Sequence, residues 1–163
     1  MIEIQNRGKN LAQPKILNTS YCFFLNDNTY IDYGNMGYSL QIASIPKTSK
    51  QLYVKFHHET QNSNTEARCM INIWINGSAN INIGSISGWN FTEGRGYYKT
   101  PYTSGYENDT IITLPKLDYP YTIVLSNRTG AGNKWSKFSN ILVTENINDE
   151  YSPSLNEKLQ LNI

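Results

Sequence analysis

The groups in this chain best suited to chemistry are aromatic rings and the polar side chains spaced between them. In Cys69-Met-Ile71-Asn-Ile73-Trp-Ile75 the isoleucines recur at every second position. A strand that buries them turns Asn72 and Trp74 to its other side. Leu52-Tyr-Val54-Lys-Phe56-His57 repeats the arrangement, with Tyr53, Lys55 and His57 opposite the apolar set. Ring faces stacked on C–H surfaces, flanked by amide and imidazole hydrogen bonds, are the chemistry that holds a sugar. Trp89, Tyr97 and Tyr98 lie in the Gly- and Tyr-rich stretch 87–108, which reads as one long irregular segment. A loop that long in a compact domain is usually functional or mobile. Trp74, Tyr53, His57, Asn72, Trp89, Tyr97 and Tyr98 are therefore the expected ligand-binding residues. The competing account gives the same rings to packing, with Trp74 covered by a loop and the others pinning the long segment in place. Trp135 fits either account.

Catalytic constellations are absent from the sequence. A glycosidase needs two carboxylates flanking one bond. Here Asp27, Asp32, Glu59, Glu66, Glu93, Glu107 and Asp109 are expected mainly in turns and tails, and no motif ties any two together. No G-x-S-x-G turn presents a serine nucleophile. The expectation is a protein that binds and is not an enzyme. No cofactor is expected either. A structural calcium ion would have Asp149, Glu150, Asp32 and Glu3 available, without the D-x-D-x-D-G loop that marks a dedicated calcium site. His57 and His58 are adjacent and no C-x-x-C accompanies them, so no metal site is expected.

The elements that must position these groups are strands. Twelve tyrosines and 21 asparagines in 163 residues favour pleated surfaces joined by polar turns over helices. Alternation recurs in Tyr38–Ile42, Leu52–His57, Cys69–Ile75, Ile81–Ile83, Thr110–Leu114, Tyr121–Leu125 and Phe138–Val143. Tyr21–Leu25 and Thr29–Tyr33 flank the turn Asn26-Asp27-Asn28, and Asn76-Gly77 is a hairpin signal. About nine short strands without an amphipathic helix predict an all-β, two-sheet antiparallel sandwich. Leu40, Ile42, Leu52, Val54, Phe56, Ile71, Ile73, Ile123 and Ile141 are expected inside it. Residues 1–154 read as one module, and 155–163 as a tail or the start of a linker.

Charge and length exclude several function classes. Fourteen basic against 13 acidic residues give a net charge of +1 with no basic block. Counterion release on nucleic acid needs a basic face, so no nucleic-acid partner is expected. No run reaches the ~18 apolar residues of a membrane span, and no membrane partner is expected. The polar stretch Met1–Leu11 has no signal-like apolar core.

Three segments, in order, resemble a module common in tail proteins of phages and prophages of Gram-positive bacteria. They are Gly8-Lys9-Asn10-Leu11 followed by Tyr21–Tyr33; Ala43-Ser44-Ile45-Pro46-Lys47-Thr48-Ser49-Lys50-Gln51-Leu52-Tyr53; and Ser139-Asn140-Ile141-Leu142-Val143-Thr144-Glu145-Asn146 followed by Tyr151-Ser152-Pro153. Asn146 stands where that family usually has glycine, and Ser154 where it has a final aromatic. The resemblance implies a jelly-roll sandwich like carbohydrate-binding modules, located on a virion tail or at the bacterial cell surface. Its implied partners are host cell-wall polysaccharide or another glycan and other tail proteins, with oligomerisation through a parent protein. A purely structural tail or baseplate domain, or a host surface adhesin, is the alternative. The shared motifs are framework, and no binding residue is carried over from them.

Cys22 and Cys69 each lie in an apolar run and are expected to be buried free thiols. Alkylation of the unreduced protein under denaturing conditions should therefore label two cysteines, and a mass two daltons short with no label would show a disulfide.

Overall fold

The computed structural model describes residues 10–26, 28–33, 38–48, 50–61, 68–75, 79–99, 106–128 and 135–154. Among them no helix forms. Twelve strands do: β1 (Lys15–Ile16), β2 (Cys22–Asn26), β3 (Thr29–Asp32), β4 (Leu40–Ile45), β5 (Leu52–Thr60), β6 (Arg68–Ile75), β7 (Ala79–Asn80), β8 (Asn90–Thr92), β9 (Gly96–Tyr98), β10 (Tyr106–Leu114), β11 (Tyr121–Arg128) and β12 (Ser136–Thr144). Every pairing between them is antiparallel.

The strands form a two-sheet sandwich of the jelly-roll type. One sheet has seven strands in the order β1-β4-β11-β6-β9-β8, with β7 beside β6; the other has five in the order β10-β5-β12-β3-β2. The chain crosses between sheets at β1–β2, β3–β4, β4–β5, β5–β6, β9–β10, β10–β11 and β11–β12. Each strand gives half of its side chains to one shared core, which is why period-2 alternation recurs in strands of both sheets.

That core is continuous. Leu40 and Ile42 from β4, Ile71 and Ile73 from β6, and Ile123 and Leu125 from β11 meet Leu52, Val54 and Phe56 from β5, Ile112 and Leu114 from β10, and Phe138 and Ile141 from β12. All nine residues expected inside are buried. β5 alternates buried and half-buried positions over its full length, so Tyr53, Lys55, His57 and Glu59 face outward.

Several local expectations are corrected. The stretch 87–108 is not one irregular loop, because β8 and β9 form a short hairpin inside it and β10 begins at Tyr106. Strands of three residues are too short to show a period. Alternation at Ile81–Ile83 gives no strand there: β7 ends at Asn80, and Ile81 adds one further bond to Ile73. Asn76-Gly77 and residues 155–163 lie outside the described residues. Asn28 has a φ of +64° in the β2–β3 turn, a conformation asparagine tolerates better than most residues. Cys22 and Cys69 are free and buried, as expected.

Ile73 is fully buried between the sheets. Ile73→Ala should lower the unfolding free energy by about 2–5 kcal/mol, measured by urea denaturation. A loss below about 1 kcal/mol would mean that this strand face is not core.

Candidate functional site

The seven residues expected to bind ligand are not brought to one surface. Tyr53 and His57 stand on β5, on the outer face of the five-stranded sheet. Asn72 and Trp74 stand on β6 in the other sheet, facing away from the shared core. Alternation places a side chain relative to its own strand; it does not say which sheet the strand joins.

Exposure separates them further. Asn72 is buried, its amide donating to Arg95 O (2.7 Å) and Asn80 Oδ1 (3.1 Å). Gly96 allows that closeness. It has a φ of +96°, and a Cβ there would meet Asn72 Nδ2 and Ile71 O at 2.7 Å. Trp74 is half-buried against the edge of Tyr38, ring centroids 4.9 Å apart, and its buried Nε1 makes no hydrogen bond among the described residues. Trp89 and Tyr97 are buried members of the core cluster. Trp89 Nε1 donates to Thr110 Oγ1 at 3.1 Å, between the sheets. Tyr98 is half-buried and its hydroxyl accepts from Thr92 Oγ1 at 3.2 Å. The expected single aromatic surface is therefore corrected: burial of Asn72, Trp89 and Tyr97 gives those three to packing.

One of the seven, His57, lines an open groove on the outer face of the five-stranded sheet, with a volume of about 220 Å³. Lys55, Asp109, Ile111, Asn140, Leu142 and Tyr151 line it as well. Register assembles it. Asp109 stands opposite His57 and Ile111 opposite Lys55 on β10, while Leu142 stands opposite Lys55 on β12. His57 Nδ1 donates to Asp109 Oδ1 at 2.7 Å, which holds the imidazole proton on Nδ1 and fixes the ring's orientation.

A β-bulge shapes the groove. Ser139 pairs with His57 and Leu142 with Lys55, so Asn140 and Ile141 together oppose Phe56. Asn140 takes a φ of +53°, which leaves Ile141 in the core and puts Asn140 in the groove wall. Bulges re-aim a side chain in this way, and they concentrate near sites. The sequence carries a signal for it, since the buried apolar spacing in β12 lengthens from two to three between Phe138 and Ile141.

The far wall is folded back by side-chain bonds. Asn146 N–H donates to Thr144 Oγ1, Thr144 Oγ1 to Asp149 Oδ2, and Asp149 N–H to Asn146 O, closing a compact turn after β12. Lys55 Nζ donates to Ile147 O (3.2 Å) and Asp149 O (2.8 Å), fastening that turn to β5. Tyr151 then lies in the groove wall. Asp32, another of the acids considered for calcium, is fully buried and accepts the Asn127 N–H at 2.8 Å. Among the described residues no group of three or more His, Cys, Asp or Glu could hold a metal ion; Glu3 lies outside them.

Behind the groove, on the inner side of β5, His58 is buried beside Phe56 and Trp89, with Nε2 2.9 Å from Thr110 Oγ1. Burial lowers its pKa from 6.5 to about 3; the charges of Lys99 and His57 push the same way and Asp109 opposes them. No family model matches this chain, and no curated protein matches it.

His58 generates a pH dependence. Its folded pKa lies below the unfolded value, so between pH 6.5 and 3 the unfolded chain takes up the extra proton. Stability is full above about pH 6.5 and falls as pH drops through this window, by an amount on the order of a few kcal/mol. His58→Phe should flatten the fall in melting temperature between pH 6.5 and 5, above the range where carboxylates titrate. An unchanged slope would show that His58 is protonated in the fold.

Proposed function

We propose that this chain is a non-catalytic binding module that holds a saccharide in the groove of Lys55, His57, Asp109, Asn140 and Tyr151. One observation carries the reading: an open groove on a rigid sheet face combines an oriented imidazole–carboxylate pair, a side-chain amide, an aromatic ring and the apolar Ile111. Sugars present both hydroxyls and C–H faces, and sites for them pair a few fixed polar groups with apolar surface. Asp109 accepts from hydroxyls, Asn140 both donates and accepts, and Tyr151 and Ile111 supply surface for ring C–H groups. The resemblance to tail-protein modules supplies the ligand class, host cell-surface polysaccharide, and the setting, a phage tail or a bacterial surface. A groove of this size binds weakly alone. Many copies on one tail would add about 100-fold or more through avidity.

A second reading has its own observation. Tyr21, Phe23, Leu25 and Tyr33 are exposed around edge strand β2, with Phe23 46% and Leu25 45% accessible. Apolar surface gathered on an uncharged edge suits docking to another protein, here another tail or baseplate component.

Sedimentation of the folded domain with host cell walls separates the two readings. Under the first, Asp109→Ala and Tyr151→Ala each weaken binding about tenfold or more without a large shift in melting temperature, and Phe23→Glu leaves it intact. A domain that ignores cell walls but joins a tail protein, and loses that association on Phe23→Glu, supports the second. Wall binding unaffected by both groove substitutions would remove the groove from the account.

A further inference from the structure

A second hollow, of about 300 Å³, opens beside β8 and β9 at the edge of the seven-stranded sheet. Its shape follows from how residues 81–89 leave and re-enter the fold. After Ile81 bonds to Ile73 the chain departs from β6, and it returns with Ile86 and Trp89 buried in the core. Between those anchors it hangs on one phenol. Tyr97 Oη accepts the Ile83 N–H at 2.7 Å and has one proton to share between Gly84 O (2.7 Å) and Asn82 Oδ1 (3.0 Å). Gly84 makes the turn at a φ of +104°, which few other residues adopt. The walls are thus fixed before anything enters, and a preformed site saves the ordering cost of binding.

The lining is uncharged. Asn82, Ser85 and Asn90 border it, with half-buried Phe91 as its open ring and the buried Tyr97 and Trp89 as its floor. Asn82 Oδ1 is taken by the Gly84 N–H and the Tyr97 hydroxyl, while Asn82 Nδ2 and Ser85 Oγ bond no other protein group among the described residues. Those two groups, one donor and one that both donates and accepts, face the ring of Phe91 across the hollow's lining. A ligand carrying charge would lose hydration there without a charged group in the lining to pair with, Lys99 Nζ standing 5.5 Å from the centre of the Trp89 ring, whereas one carrying hydroxyls would exchange water for amide and hydroxyl partners.

We propose that this hollow is a second binding site, separate from the His57 groove, and that it takes a neutral, hydroxyl-rich ligand, an uncharged sugar residue. The inference does not depend on what the groove binds. It makes one module bivalent, with a charged site on one sheet and an uncharged site at the edge of the other.

The test is an amide NMR titration of the full chain with glucose, galactose and N-acetylglucosamine, and with glucuronate as the charged counterpart. At least one neutral sugar should give saturable shifts at Ile83, Ser85, Asn90 and Phe91, with glucuronate at least tenfold weaker. Ser85→Trp, a change at an exposed position that fills the hollow, should abolish those shifts, and Asp109→Ala should leave them unchanged. The proposal is overturned if no neutral sugar saturates these amides, if glucuronate binds there as tightly, or if the shifts survive Ser85→Trp. Shifts confined to His57, Asp109 and Tyr151 would overturn it while leaving the groove reading standing.

Discussion

The side-chain amide of Asn10 makes four hydrogen bonds, the full capacity of that group. Its Nδ2 donates to Ile141 O (2.7 Å) and Ser152 O (2.8 Å), and its Oδ1 accepts from Ala12 N–H (2.9 Å) and Val143 N–H (3.0 Å). The leading segment, the last half of β12 and the segment after it are thereby joined at one point. Leu11 N–H adds a bond to Val143 O. Much of the groove wall hangs on this junction. Ile141 and Val143 are fixed just past the bulge that places Asn140, and Ser152 is fixed one residue beyond Tyr151. Asp in place of Asn would keep the acceptor and lose both donated bonds. The segment around Asn10 and the closing segment Ile141–Ser152 thus meet here although they are far apart in sequence.

A second constraint is the polar content of the interior at the end of the sandwich where β5 finishes. Thr60 and Cys69 lie 2.9 Å apart, Ser136 Oγ donates to Asn127 Oδ1 at 2.7 Å, and Asp32 accepts from the Asn127 backbone. Burial raises Cys69 to about 11 and Cys22 to about 12, in Cys22 with help from the Asp32 charge, so neither thiol ionises near neutral pH. Bonding is what makes such burial tolerable, since an unmet polar group inside costs more than a satisfied one returns. The apolar middle of the core supplies cohesion, and this end supplies a single arrangement of strands.

How much of this was legible in the sequence depends on whether a feature is local. Ile71, Ile73, Val54 and Phe56 announce their burial because alternation belongs to one strand and one dry face. The partner of a strand does not show in that pattern. Tyr53 and His57 read like Asn72 and Trp74, yet they end on opposite sheets. Asn72 looked like a ligand-binding amide; Gly96 approaches so closely that it is an internal strut. Trp89 and Tyr97 looked like loop decoration because β8 and β9 are too short to register. Asp109, Asn140 and Tyr151 carry no local signal as site residues, since they meet His57 only through strand register, a bulge and a folded-back segment. Of these, the lengthened spacing in β12 was the one trace a reader of the sequence could have used.

The bond between Asn10 and Ser152 also has a mechanical meaning. Asn10 and Ser152, near the two ends of the described residues, stand within one hydrogen bond of each other, so those ends meet at one place like a bead on a crimped loop. Placed within a longer polypeptide, the fold would take up almost no span, and a host turn could accept it without being pried apart. Tension along such a polypeptide would fall first on the Asn10 junction and only afterwards on the ladders behind it. The groove wall at Tyr151 sits next to that junction, so the groove is also the first part of the module to feel a pull.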